Sequence, residues 1–437
     1  MQHNTHRLAR RASAALGTAA LAVALSAVAI PGASATTAAP AAPSHTMIRP
    51  HLGVAAAQVG ASPTVAGRVA AIDKVASTLP SESTAYGVPN LWNSGITGAG
   101  TTVAVVDSFG DPNAAQVLDS YSQEHGLPAA QLSVIAPAGP IPVCTPALEQ
   151  QIGCEDWIGE TDLDITMIHA IAPEAQIVIA ATPVNETEGF TGLPEMMTAI
   201  DYMAKHHVAD VISLSFGTPE DDFPTLQSPK QLDYALRDAK SAGIPVVAAT
   251  GDCGPTDNTV TSASQCADVF PYRVASWPGS DPYVTAVGGT VLHLDANGQQ
   301  SSPATLWPDS GAGLSKTYAR PAWQNGVASI TGSSQRSLPD ITMQGIEGTS
   351  MATPLFGAVL ALATQLHGGP LGFINNALYQ LGPKGAKDGI VDVTQGNNSQ
   401  YGVPGFAAGK GFDIASGWGT VDPASFVPAL VKQIGKQ

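Results

Sequence analysis

The chain is expected to fold as an α/β protein built on a central, mostly parallel sheet. Two observations carry that expectation. Five continuous β-branched runs, "TTVAVVDSFG", "AQIVIAAT", "ADVISLSFG", "GIPVVAATGD" and "YVTAVGGT", read as strands buried on both faces. Helical stretches such as "MMTAIDYMAKHH" and "PKQLDYALRDAKSA" alternate with them, which implies parallel pairing with ligands at the carboxyl ends of the strands. The 437 residues, 44% of them hydrophobic, suffice for one large domain or two medium ones, and no internal repeat is visible.

The N-terminus precedes this pattern. Arg7, Arg10 and Arg11 lead into an Ala/Leu/Val run through Ile30 and then "PGASA", which reads as a signal peptide over residues 1–35. The protein is therefore expected to be secreted and extracellular, with no membrane association in its mature form. No other stretch approaches the length of a membrane span. Residues 36–83 read as a linker or short propeptide with one helix-like patch, "VAGRVAAIDKVASTL", and a domain spans 84–437. Only 12% of residues are charged, with 35 acids against 19 Lys and Arg, so a nucleic-acid partner is excluded. Low charge suits a protein that stays soluble in acid; a compositional habit of exported proteins explains it equally well.

Four cysteines fit an oxidising compartment. Proximity pairs Cys144 with Cys154 and Cys253 with Cys266, although three connectivities are possible. Zinc is a poor alternative, because the spacings are wrong and no histidine clusters nearby.

The chemistry concentrates in three stretches. In "WIGETDLDITMIHAIAPEAQIVIA", Glu160 and Asp164 are four apart, so a helix presents both on one face. Two close carboxyls share a proton and split their pKa values, making one a base in mild acid. Asp156 also lies four from Glu160, and a solvated acidic helix start is the plain alternative. Against it, Leu163, Ile165, Ile168 and Ile171 describe a buried helix, on which unpaired acids are costly. "AATGDCG" ends a strand at Asp252, where a turn-capping role is the alternative. "GIEGTSMATP" places Gly348 and Thr349 before Ser350, and the apolar "LFGAVLALATQL" after it reads as a buried helix. A serine hydroxyl is a poor nucleophile unless a base takes its proton.

Together these motifs resemble the sedolisin (serine-carboxyl peptidase) family, in that family's order, over roughly residues 84–425. "VISLSFG", "SGAGLSKTYARPAWQ" and "LPDIT" resemble it too. The resemblance implies a subtilisin-like three-layer fold and hydrolysis of protein or peptide substrates in acid, by a monomer. It makes Ser350 the nucleophile, Glu160 the general base and acid, and Asp164 its proton-sharing partner. Asp252 then stands where subtilisins hold the oxyanion-hole asparagine, and a protonated aspartate there donates a hydrogen bond to the oxyanion. The resemblance further implies one Ca²⁺ ion, held by the carboxylates of Asp392 and Asp413 and the carbonyls of Val393, Gly409 and Gly411.

Three departures stand out. The family carries a long folded prodomain, for which residues 36–83 leave little room. Glu347 occupies a position where a small residue is usual, and Ala312 replaces a glycine in "SGAGLS". His169, the histidine nearest a motif, reads as structural or surface. Two rivals remain at this level. One is a neutral subtilisin-like peptidase using Asp107, which lacks its histidine. The other is a non-catalytic secreted binding protein on a peptidase fold.

Overall fold

The structure, a computed structural model, describes residues 59, 61–76, 82–262, 264–346 and 348–435. The expected signal peptide, most of the expected linker, and Glu347 lie outside the described residues.

All five expected strands form: β1 (Thr102–Ser108), β3 (Gln176–Thr182), β4 (Val211–Leu214), β5 (Val246–Ala249) and β6 (Thr285–Leu294). Three more join them: β2 (Gln131–Ile135), β7 (Gln300–Leu306) and β8 (Ile341–Gln344). Across the sheet the order is β8-β6-β5-β4-β1-β3-β2, with every neighbouring pair parallel. Only β7 runs antiparallel, against the far half of β6.

Strand side chains alternate between two cores, as the pleat requires. Val103, Val105, Ile177 and Ile179 face one core, completed by α2 (Ala114–His125), α3 (Cys154–Ile171) and α6 (Thr349–His367). Ala104, Val106, Val178 and Ala180 face the other, completed by α4 (Leu193–His206) and α5 (Asp233–Ser241). Helices thus cover both faces, giving the three expected layers. The "VAGRVAAIDKVASTL" patch forms α1 (Val65–Ala76), and α7 (Pro423–Ile434) closes the described chain.

Helix α3 is the buried helix that its apolar face predicts. Asp156 is 8% exposed while Glu160 and Asp164 are 0%, so a solvated acidic start is ruled out. Helix α6, 19 residues long, is apolar enough to span a membrane by length and composition, contrary to the sequence reading. It is apolar because it is the central core helix, packed between the sheet, α3 and α7.

The two local disulfides, Cys144–Cys154 and Cys253–Cys266, are present as expected. Glu149 lies beside the first pair, but a disulfide leaves no thiolate for a metal. Closing loops with separations of 10 and 13 residues removes chain entropy from the unfolded state. Replacing either pair with serine is expected to lower unfolding free energy by about 3 kcal/mol, read from urea denaturation. An unchanged midpoint would contradict it.

Candidate active site

Three neighbouring parallel strands deliver the floor of the site. Asp107 lies in β1, Ser215 directly follows β4, and Asp252 lies three residues beyond β5. Two helices stacked on that edge deliver the rest: α3 brings Glu160 and Asp164, and α6 begins with Thr349 and Ser350. All of these side chains are at most 2% exposed.

Local sequence explains the placement of Ser350. Gly348 sits at φ 132° and ψ 150°, a conformation that favours glycine, and turns the chain from β8 into α6. Pro354 lies inside the helix and has no N–H to bond the Ser350 carbonyl four residues back. That carbonyl lies 3.3 Å from the Ser215 hydroxyl, which is also 2.8 Å from Asp164 Oδ1. The Ser350 hydroxyl in turn donates to the Ser215 carbonyl at 3.4 Å. Ser215, which sequence reasoning did not single out, therefore ties the acid helix to the serine helix.

Glu160 is fully buried. Neither oxygen makes a short hydrogen bond, yet the Ser350 hydroxyl and Asp164 lie close enough to act on its charge. Burial raises its pKa well above the usual carboxylate range, and the negative charge of Asp107 raises it further; contacts with Ser350 and Asp164 oppose this. Asp164 is raised in the same sense by burial, then by Glu160 and Asp107, with the Ser215 hydrogen bond opposing. Asp107 is pushed up to about 7 by burial, and contact with Thr161 partly offsets the shift. Sequence reasoning assigned Asp107 only to the neutral rival. Its position at the carboxyl end of a buried parallel strand was the available signal.

Asp252 is fixed from α6. Its Oδ1 accepts from the Thr349 backbone N–H at 2.7 Å and the Thr349 hydroxyl at 2.8 Å. Gln265 Nε2 donates to Oδ2 at 3.3 Å, and the Cys253–Cys266 bridge closes the loop between them. A cavity of about 100 Å³ opens here, lined by Asp252, Gln265, Trp307, Asp309, Ile346 and Tyr401. Gly311 donates its N–H to the Gly251 carbonyl at 2.8 Å, and a Cβ on it would stand 2.0 Å from the Thr250 oxygen. Ala312 beside it is buried.

His169 is structural. Its Nε2 lies 2.9 Å from Ser122 Oγ and 3.1 Å from the Pro128 carbonyl, joining α3 to α2 and the loop that follows it. Burial pushes its pKa down to about 4.

The C-terminal acids also converge. Gly411 N–H donates to Asp392 Oδ2 at 2.8 Å, and Gly409 N–H to Asp413 Oδ2 at 2.8 Å. Ser416 N–H donates to Asp413 Oδ1 at 2.8 Å. Asp392 Oδ1 is buried with no hydrogen-bond partner, an oxygen that a hard cation would satisfy. The chemistry of that one oxygen fits a calcium ion.

The pKa shifts carry a stability consequence. For a buried carboxyl whose folded pKa is raised, stabilisation is complete below the unfolded value and is lost as pH rises through the folded one. For Asp107, moved from 3.8 to about 7, the difference amounts to about 4 kcal/mol. His169 acts oppositely, losing stability as pH falls from 6.5 to about 4. Glu186, Glu188 and Asp222 are also raised, chiefly by burial, so the carboxyls outnumber the single histidine. The melting temperature is expected to fall as pH rises from about 4 to 8, measured by scanning calorimetry. A melting temperature that climbs over this range would contradict the burial of these acids in protonated form.

Residues 122–403 match the Subtilase family. The chain is 30% identical over 366 residues to kumamolisin of Bacillus sp. (strain MN-32), covering 77% of this chain and 61% of that protein. It is 29% identical over 355 residues to sedolisin of Pseudomonas sp. (strain 101), covering 75% and 57%. It thus spans about three fifths of the length of these relatives. A solved structure of Pseudomonas sedolisin, described as a serine-carboxyl proteinase complexed with pseudo-iodotyrostatin, superposes with a TM-score of 0.65 at 25% identity, covering 80% of this chain and 96% of that one. The mostly parallel three-layer sheet and these matches agree: the chain belongs to the subtilase family, in its sedolisin branch.

Proposed function

We propose that the protein is a secreted, acid-active serine-carboxyl peptidase that hydrolyses peptide bonds in protein or peptide substrates, acting as a monomer. The observation that carries this reading is the meeting of Ser350 with the buried carboxyls of Glu160 and Asp164. Glu160 takes the proton of the Ser350 hydroxyl as its oxygen attacks the substrate carbonyl, then returns it to the leaving amine. An acyl-enzyme results, and water activated by the same carboxylate releases it. Asp164 shares the proton with Glu160, and Ser215 holds Asp164 in place.

Asp252 stabilises the oxyanion. Its Oδ1 accepts two short hydrogen bonds from Thr349 and its Oδ2 a longer one, at 3.3 Å, from Gln265, so Oδ2 is the oxygen that carries the proton in the neutral acid. That proton is the one available to the tetrahedral intermediate. The reaction therefore needs two opposed states at once: Glu160 able to accept a proton and Asp252 keeping its own.

Asp392 and Asp413, with the carbonyls of Val393, Gly409 and Gly411, would hold one structural calcium ion. The orphaned Asp392 oxygen supports this. The ion would supply no step of the reaction; it would tie the "VDVTQ" and "AGKGFD" loops together.

Activity on denatured protein is expected to follow a bell centred between about pH 3 and 5. Glu160→Gln cannot accept a proton and should lose about 10²–10⁴-fold in kcat at every pH. Asp252→Asn donates whatever the pH, so it should keep measurable turnover and lose less on the alkaline limb. Full wild-type activity at neutral pH, or an active Glu160→Gln protein, would overturn the mechanism. For the ion, a chelator should lower the melting temperature by mass action and Asp413→Ala should mimic it. Superimposable melting curves with and without chelator would remove calcium from the account.

A further inference from the structure

Residues 36–83 read from sequence as linker or short propeptide, yet residues 59 and 61–76 contribute to the core beneath the candidate site. Val59 and Ile72 are 0% exposed and Val69 is 3%, in the same core as Val103, Leu118 and Leu163. Removing them would leave a cavity in the packing between sheet and helices. Arg68 is 5% exposed and carries the polar half of the contact. Its Nε donates to Asp162 Oδ2 at 2.5 Å and its Nη2 to Asp111 Oδ2 at 2.9 Å. Asp111 also accepts from the Asn113 N–H at 2.9 Å, which shapes the turn into α2.

The placement of these partners matters more than their number. Asp162 lies on α3 midway between Glu160 and Asp164, about 200° around the helix from each. Arg68 therefore grips the back of α3 while the two acids face Ser350. Its second prong holds Asp111, four residues beyond Asp107. One guanidinium thus spans the two segments that carry three of the site's carboxyls. Without it, two buried acids lose the cation that faces them, and α3 loses the contact that fixes its outer side.

We infer that residues 59–76 are a retained arm of the mature protein, and that Arg68 is a positioning residue that sets the rotation of α3 and so the reach of Glu160 to Ser350. The second half of this inference rests on the peptidase reading above; the first does not. Val59, Val69 and Ile72 belong to the core that the sheet, α2 and α3 share.

Intact mass and N-terminal sequencing of the folded, secreted protein test the arm without any assay. Residues 59–76 should be present, and a folded, fully functional species that begins beyond Ala76 without the arm would overturn the inference. Kinetics test Arg68. Arg68→Met, shown folded by circular dichroism at the assay temperature, should lose about 10²-fold in kcat with KM near wild type, the scale of a ~1 Å misplacement. Arg68→Lys keeps the charge without the fork and should recover part of the loss. Asp162→Asn, which removes only the charge on the helix side, should reproduce the kcat loss if Arg68→Met does not fold. Wild-type kcat in either folded variant overturns the positioning role. A wild-type protein that cleaves no peptide removes the peptidase reading and the positioning role with it, while the mass result still decides the arm.

Discussion

Carboxyl groups buried where water cannot reach them are the constraint on which this structure turns. Asp107, Glu160 and Asp164 lie with no exposed surface at the junction of the sheet with α3 and α6. Burying an ionised carboxylate in isolation costs several kcal/mol. Protonating one near its ordinary pKa costs almost nothing, so neutralisation wins. Stability is accordingly expected to be greater in acid than at neutral pH. The same neutral-to-ionised exchange is what a serine hydroxyl needs from a base, so on the proposed mechanism stability and reactivity draw on one set of protons.

Everything around the acids serves to hold them in that dry place. Three parallel strands end side by side and supply Asp107, Ser215 and Asp252, as the carboxyl edge of a parallel sheet is suited to do. Pro354 removes one helical hydrogen bond from α6, and the freed Ser350 carbonyl faces the Ser215 hydroxyl. Disulfides stand beside both acid elements. Cys154 is the first residue of α3, and Cys253 follows Asp252. Among the described residues, the guanidinium of Arg68 pairs with α3 on its outer side, at Asp162.

Much of this was legible in the amino-acid order. Five β-branched runs marked the strands because a parallel strand covered on both faces must be apolar throughout. Leu163, Ile165, Ile168 and Ile171 marked α3 as buried and so made its acids unusual. Strand β2 was not legible: it is an edge strand with partly exposed residues, and "QLSVI" carries no continuous apolar signal. Ser215, and the place of Asp107 beside Glu160, were hidden for another reason. Their importance lies in which strands become neighbours, β4 beside β1, and adjacency across a sheet is not written in local sequence. Arg68 was masked by composition, since an Ala- and Val-rich stretch before a domain looks like a linker until its side chains are seen in the core.

The central claim is that several of these acids stay protonated well above the ordinary carboxylate range. Carbon-13 NMR titration of selectively labelled Asp and Glu carboxyls reads that directly. The account predicts a subset of carboxyl resonances, Asp107 among them, still in the protonated form near pH 6, with Asp107 titrating around 7. A titration in which every carboxyl ionises near pH ~4, as free side chains do, would contradict it.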